Sequence, residues 1–349
     1  MTITKIQLNH FTVFENVSLE FTNGINIFIG PNAVGKTHMM KVLYAACQAS
    51  DPKTSFSNKI VTCFLPDDYR ISRLLSRKPG GNTASVKVSA QKLDGSVNKT
   101  ITAKFNSKTK KWDAEVTGEE GWEKQLVGCS SVYIPAKEIL SNAYNLNAAV
   151  EKNNVSFDDT YLDIINSAKI DISVGKNAAW KENILKKIES IITGRVFYDN
   201  ERDEFYLKQG NSKLEFNLVA EGIRKIALLW QLIKNGSLEP GAILFWDEPE
   251  ANINPKYVPL LVDILLELQR NGVQIFIATH DYFLAKYFDT RKTEADTVQY
   301  HSFYHDDAGD SDAGVVCETA EHFTELQHNP IMETFLQLYH EELGKAMSL

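Results

Sequence analysis

The sequence contains no apolar run approaching the length of a membrane span, so an integral membrane helix is not expected. Its opening residues, Met1-Thr2-Ile3-Thr4-Lys5-Ile6, lack the anatomy of a signal peptide. Cysteine is scarce. Cys47, Cys63, Cys129 and Cys317 stand far apart with no C-x-x-C spacing, which argues against a structural zinc site and for a reducing cytoplasm. Positive charge is not in excess: a net charge of −8 excludes a protein that coats nucleic acid through global charge, while leaving room for a local basic patch. Internal repeats, low-complexity tracts and sustained heptads are absent as well. What remains is ordinary globular composition, 43% hydrophobic and 23% charged, in 349 residues, enough for one large domain or two.

Against that plain background one segment stands out. Gly30-Pro31-Asn32-Ala33-Val34-Gly35-Lys36-Thr37 is a full G-x-x-x-x-G-K-[ST] phosphate-binding loop. It follows the apolar run Ile25–Ile29, which reads as a buried strand, and precedes Met39–Ala46, which reads as a helix. Glycines let backbone N–H groups point inward at phosphate oxygens, and the following helix adds its positive dipole end. Gly30, Asn32, Ala33, Val34, Gly35, Lys36 and Thr37 are therefore expected to cradle a nucleoside triphosphate. Lys36 would reach the β- and γ-phosphates, and the Thr37 hydroxyl would join the Mg2+ shell.

The pattern along the chain predicts half-buried strands at Ile3–Leu8 and Val17–Phe21, with Asn23-Gly24 turning into the loop strand. Ala84–Val88 and Thr100–Phe105, joined at Leu93-Asp94-Gly95, predict an antiparallel side sheet. Val132–Ile134 ends another buried strand. From Glu138 to Gly194 the residues favour helices, closing with Ile184, Leu185, Ile188, Ile191 and Ile192 on one face, and this stretch is read as a helical insertion (138–194), a lid within a single domain spanning 1–349. Strands follow at Arg195–Tyr198 and Glu204–Leu207, then a helix from Gly222, a strand at Ala242–Trp246, a helix from Lys256 and a strand at Gln274–Thr279. Strand and helix alternating around a phosphate loop imply an α/β fold with a mostly parallel sheet.

Two of those strands end in chemistry. Ala242–Trp246 delivers Asp247 and Glu248 at its carboxyl end, the edge at which open α/β sheets bind ligands. Asp247 would hold the Mg2+ coordination in place, and Glu248 would orient or deprotonate the water that attacks the γ-phosphate. Gln274–Thr279 ends in His280, placed to hydrogen-bond the γ-phosphate or that water.

In this order, G-P-N-A-V-G-K-T, F-W-D-E-P-E and A-T-H-D resemble the ABC-type ATPase heads of the SMC, RecF and OLD group, and Ile6–Phe14 resembles that group's opening strand and loop. The resemblance implies an ABC-type head that binds ATP and Mg2+ and assembles as a homodimer or higher homo-oligomer through ATP. It places the signature motif, which caps a partner's nucleotide, at Leu218–Lys225, where Gly222 and Arg224 would face the anion. The serine usual in that motif is replaced by Ala220, which puts fast hydrolysis in doubt. Glu250–Pro255 resembles the loop that communicates across such dimers, and Lys137 or Glu138 takes the place of the usual Mg2+-sensing glutamine. Long coiled-coil arms do not fit in the insertion. The 69 residues after His280 are too few for the nuclease domain of OLD proteins, and they end in a helix at about Pro330–Leu343. Asp306, Asp307, Asp310 and Asp312, interleaved with Gly309, Ser311 and Gly314, read as a solvated loop.

Compact heads of this kind resemble the ATPase subunits of bacterial anti-phage and abortive-infection systems. The leading expectation is thus a cytoplasmic ATPase controlling a separately encoded nuclease or toxin, with no membrane. The alternative is a DNA-binding repair or SMC-like clamp. Arg70, Arg73, Arg77 and Lys78, spaced for one face of a short helix, and a second basic turn at Lys108, Lys110 and Lys111 suggest it. A transporter-energising ATPase and a nucleotide-binding module without turnover rank behind these.

Overall fold

The computed structural model describes residues 1–349 except 77–82, 93–94, 127, 153–154, 173–174, 176, 306–313 and 348–349. The chain opens with strands β1 (Thr2–Phe11) and β2 (Phe14–Glu20), then β3 (Ile25–Ile29) and helices α1 (Lys36–Gln48) and α2 (Phe56–Phe64). Strands β4 (Thr83–Gln91), β5 (Asn98–Asn106) and β6 (Glu115–Thr117) follow, then α3 (Glu119–Leu126) and β7 (Ser131–Ile134). Helices α4 (Leu146–Glu151), α5 (Asp159–Lys169) and α6 (Ala179–Ile192) lead into β8 (Arg195–Asp199), β9 (Glu204–Gln209) and β10 (Ser212–Glu215). The last part comprises α7 (Glu221–Lys234), β11 (Ile243–Asp247), α8 (Val258–Arg270), β12 (Gln274–Ala278) and α9 (Tyr282–Arg291). It closes with β13 (Val298–His305), β14 (Val315–Ala320) and α10 (Pro330–Met347).

Strands β3, β7, β11 and β12 are buried at every position, as expected of apolar runs covered on both faces. They form four consecutive strands of a six-stranded sheet ordered β14-β13-β3-β12-β11-β7, with β7 at one edge, parallel except for the antiparallel strand β14 at the other. Alternate side chains enter two different cores. Ile25, Ile27, Ile29, Leu244, Trp246, Ile275 and Ile277 pack into the helical layer. Phe28, Phe245, Phe276 and Tyr133 point the other way, toward the five-stranded antiparallel sheet β2-β1-β4-β5-β6. There the Phe245 and Phe276 rings stack with centroids 5.1 Å apart.

The helical stretch is stapled to the phosphate-loop side by ion pairs. Lys41 of α1 meets Asp158 at 2.7 Å, and Lys59 of α2 meets Asp159 and Asp163 at 2.7 and 2.6 Å. Both lysines are largely buried, so these are pairs whose loss would leave a charge stranded.

Two expectations change. Arg70 and Arg73 do not share a helix face: the backbone makes two short 3-10 turns, Asp67–Tyr69 and Ile71–Leu74, because Asp68 and Tyr69 are left-handed. Arg70 pairs with Asp68 and Arg73 with Asp67, each at 3.3 Å. Arg77 and Lys78 lie outside the described residues, as do Leu93, Asp94, Asp306, Asp307, Asp310 and Asp312. The hairpin β13–β14 was not anticipated. It widens the parallel sheet beyond β3.

Candidate functional site

Because β3, β11 and β12 are parallel neighbours in register, their carboxyl ends lie side by side, and the residues after each meet in one place. After β3 comes the phosphate loop. It closes on Gly35, whose φ of 90° and close approach to the Phe14 ring, 2.5 Å from where a Cβ would sit, require glycine there. Val34 is fully buried and anchors the loop from beneath. Helix α1 then starts at Lys36, whose Nζ donates to the carbonyls of Gly30 and Pro31, both at 2.8 Å. Burial lowers the Lys36 pKa to about 8, with Asp247 and Glu248 opposing the shift.

After β11 come the acids. The Thr37 hydroxyl donates to Asp247 Oδ2 at 2.9 Å, joining the two strand ends. Burial raises the Asp247 carboxyl above its ordinary range, and the Thr37 hydrogen bond works against that shift. Glu248 holds a left-handed backbone with φ 48°, an uncommon conformation for a non-glycine residue. This turns its side chain toward His280, whose Nε2 lies 3.9 Å from Glu248 Oε1. Burial, with Lys36 adding to it and Glu248 opposing, lowers the His280 pKa, so the imidazole is neutral at physiological pH.

Asn32, Ala33, Gly35, Lys36, Thr37, His38, Asp247, Glu248, Ala278 and His280 line one cavity of about 270 Å3. Two hard oxygen donors, the Thr37 hydroxyl and the Asp247 carboxylate, sit together on its wall. That donor chemistry fits Mg2+, which takes few protein ligands and completes its shell with water and phosphate oxygens. Among the described residues no group of three or more His, Cys, Asp or Glu gathers to form an all-protein metal cage.

Three features went unnoticed in the sequence. His38 lines both this cavity and an adjoining one of about 570 Å3 bounded by Thr12, Val13, Phe64 and Leu75. Its ring lies 5.2 Å from Phe64, and burial pulls its pKa down to about 4. Glu250 is half-buried, accepting from the Thr279 hydroxyl at 2.7 Å and the His280 N–H at 3.3 Å, and desolvation pushes its carboxyl up to about 7. Lys225 is 1% exposed and reaches under Glu248, its Nζ 3.4 Å from the Glu248 carbonyl. A lysine followed at three and four positions by Leu228 and Leu229 was the available signal, since it places a charge on the apolar face of α7.

Gly222 and Arg224 do not line the cavity. Gly222 is where α7 meets the Glu250–Pro255 loop, with the Asn252 carbonyl 2.2 Å from where a Cβ would sit. Arg224 was expected to offer its charge to an anion, but its guanidinium is committed inward. Nε meets Glu138 Oε2 at 2.6 Å, and Nη1 donates to the carbonyls of Phe216 and Val219 at 3.1 and 2.6 Å. The same pair removes Glu138 as a free Mg2+ sensor, since its other oxygen accepts from the Ser141 N–H at 3.2 Å. Lys137 is exposed and does not line the cavity either. Ala220 stands at the N-cap of α7 with no side-chain cap.

Comparison with known proteins agrees with this geometry. Residues 1–156 match a family described as an AAA ATPase domain, and residues 140–286 match one described as an AAA domain, putative AbiEii toxin, Type IV TA system. The DNA replication and repair protein RecF of Latilactobacillus sakei is 27% identical over 106 residues, 30% of this chain and 28% of that protein. RecF of Ligilactobacillus salivarius is 30% identical over 98 residues, 28% of this chain and 26% of that protein. The matched region thus spans little more than a quarter of these relatives. Among solved structures, an SMC head bound to the C-winged helix domain of ScpA superposes with a TM-score of 0.60 at 13% identity, covering 92% of this chain and 98% of that one. An Smc head with extended coiled coil from Pyrococcus furiosus, bound to the C-terminal domain of ScpA, gives 0.53 at 12% identity, covering 97% and 99%. Together these support an SMC/RecF-like ABC-type ATPase head. The longest helix among the described residues has 18 residues, so they include no coiled-coil arm. No described helix is long and apolar enough to cross a membrane.

Proposed function

We propose that this chain binds ATP with Mg2+, assembles with further copies across the nucleotide, hydrolyses it slowly, and through that cycle controls a separate effector protein. The observation that carries the reading is the convergence of Lys36, Thr37, Asp247, Glu248 and His280 on one cavity from three adjacent strand ends. In this reading the loop N–H groups and Lys36 bind the phosphates. Thr37 and Asp247 hold Mg2+, which supplies charge neutralisation when bound. Glu248 orients the attacking water and takes its proton, and the neutral His280 accepts or donates one hydrogen bond at the same place. The adjoining hollow at His38 and Phe64 offers an apolar wall for the nucleoside. The helical segment 138–194 belongs to the same head and acts as a lid, which its ion pairs to α1 and α2 support.

An effector of nuclease or toxin character in anti-phage defence is the reading favoured by the AbiEii-type family likeness. A DNA-binding repair role is the second. It draws on the RecF likeness and on a hollow where Arg70, Lys108, Lys110 and Lys111 gather beside the exposed Tyr69 and Trp112.

The test is Glu248→Gln, tagged and purified from its native host with Mg·ATP. Removing the base is expected to slow phosphate release by roughly a hundredfold or more while nucleotide stays bound. A stoichiometric small protein that co-purifies would support effector control. Duplex DNA alone would move the assignment to the repair reading, and unaltered phosphate release would remove Glu248 from the chemistry.

A further inference from the structure

All four cysteines of this chain are free thiols, spaced far apart in the sequence. Folding brings two of them together. Cys47 stands in the last turn of α1 and is 1% exposed, while Cys129, 82 positions later, lies just before β7 and is half-buried. Both neighbours of Cys47 are tied to the segment that carries Cys129. Trp122 of α3 donates its indole N–H to the Ala46 carbonyl at 2.9 Å, and Gln48 Nε2 donates to Ser131 Oγ at 3.0 Å. Cys47 belongs to the core beneath the antiparallel sheet, and Cys129 packs against that core. The two side chains are hydrogen-bonded to each other.

The two sulfurs are not equivalent. Cys129 faces a surface hollow of about 340 Å3, which it lines with Lys92, Gln125, Gly128 and Glu239. Its Sγ lies 3.8 Å from the Ser130 carbonyl. The hydrogen bond from Cys47 holds the Cys129 thiol below its ordinary value against desolvation. Burial, reinforced by the same hydrogen bond, pushes the Cys47 thiol well up. The thiolate is the reactive form, so Cys129 is the sulfur that a small oxidant entering the hollow meets first. Burial raises the thiols of Cys63 and Cys317 instead.

We propose that Cys129 is a peroxide-reactive thiol with Cys47 as its resolving partner, the two closing a reversible disulfide that fastens the end of α1 to the start of β7. In the first step the Cys129 thiolate attacks a peroxide oxygen. The S–O bond forms as the O–O bond breaks, and the other oxygen leaves as water, giving a sulfenic acid. The Cys47 sulfur then attacks the Cys129 sulfur. The S–S bond forms as the S–O bond breaks, and the hydroxyl leaves as water with the Cys47 proton. Two thiols are thus oxidised for one peroxide reduced, and a dithiol reverses the bond by exchange. Cys47 stands about 16 Å along α1 from Lys36, so the pair lies apart from the candidate nucleotide site and does not rest on that reading.

The test uses the full chain, reduced, freed of reductant and exposed under native conditions to a small excess of hydrogen peroxide. The intact mass should fall by about 2 Da, and dithiothreitol should restore it. Peptide mapping without reductant should join the Cys47 and Cys129 peptides and find Cys63 and Cys317 still free. In denaturant, where only chain length separates the thiols, the preference for this pair should vanish. The oxidised chain should melt higher than the reduced one, since a bond that fits the native geometry constrains the unfolded chain. Cys47→Ala should stop at the Cys129 sulfenic acid, trapped there by dimedone, and Cys129→Ser should leave Cys47 reduced at the same peroxide dose. An unchanged mass, a mass that only gains oxygen, or a link between other cysteines would overturn the proposal. So would a lower melt on oxidation, or Cys47 oxidising unaided in Cys129→Ser.

Discussion

The two edges of this molecule that would handle nucleotide are built on opposite plans. On the phosphate-loop edge, polar groups are paired with one another across the cavity. Thr37 is bonded to Asp247, Lys36 lies along two loop carbonyls, and His280 faces Glu248. On the signature edge, polar groups turn away from the surface. Ala220 offers no cap, Arg224 is spent on Glu138, and Lys225 is buried beneath Glu248. The first edge gathers its polar groups around one cavity. The second presents backbone N–H groups at a helix start and keeps its charges for holding that helix against the strand ends. The difference teaches that charge near a helix N-terminus is no guide to anion binding until its partners are known.

Arg224→Ala should have the largest effect and falls on stability. It strands Glu138, whose side chain is 2% exposed, and breaking such a pair costs about 3–5 kcal/mol. A large drop in thermal midpoint with nucleotide affinity intact keeps Arg224 structural. A normal midpoint with ATP-driven assembly lost would return it to the role expected from sequence. On the other edge, Lys36→Ala should leave the fold standing, since it removes a buried ammonium, yet weaken ATP binding by about a hundredfold, near 2.7 kcal/mol. Calorimetric titration checks this, and an unchanged affinity would empty the cavity of its assigned ligand.

Glu250→Gln probes the ground between the edges through pH. Burial lifts this carboxyl from 4.5 to about 7. The stability linked to its protonated form is therefore complete below about 4.5 and lost as pH rises through 7. A neutral amide escapes that loss, so the variant should gain on the order of 1–2 kcal/mol at pH 8 and almost nothing at pH 4. Equal gains at both would place the shift elsewhere. The smallest effect is Ala220→Ser, which supplies the missing cap and should add about 0.5–1 kcal/mol in thermal melts. If the signature edge meets a partner's phosphate, it should also strengthen ATP-driven assembly, and no change in either would leave Ala220 without consequence.

How legible each edge was in the sequence follows from the same contrast. The loop edge is written in contiguous words, because parallel strands covered on both faces read as unbroken apolar runs and their chemistry stands at the next residue: Asp247 after Trp246, His280 after Thr279. The side sheet was readable from alternation, because its strands bury one face, and helices α7, α8 and α10 from their apolar periodicity. The signature edge depends on pairings between distant residues, Glu138 with Arg224 and Lys225 with Glu248, that no local pattern encodes. The hairpin β13–β14 was missed because Val298–His305 mixes histidine, serine and glutamine into a buried strand, where His301 pairs with Thr319 at 3.0 Å. The basic helix at Arg70 and Arg73 failed because charge spacing was read as helical periodicity, while Asp67 and Asp68 were already supplying the counter-charges.

The central claim, that one chain's cavity works only with another chain's signature edge, is tested most directly by mixing two defective variants. Lys36→Ala disables the cavity and leaves the edge intact. Ala220→Asp, at an exposed cap where aspartate is well tolerated, places negative charge on the edge and leaves the cavity intact. Each alone should release almost no phosphate. Mixed in equal amounts they should recover about a quarter of native activity, because half of the pairs are mixed and each holds one complete site of two. A mixture no more active than its parts, or Ala220→Asp fully active alone, would contradict the account.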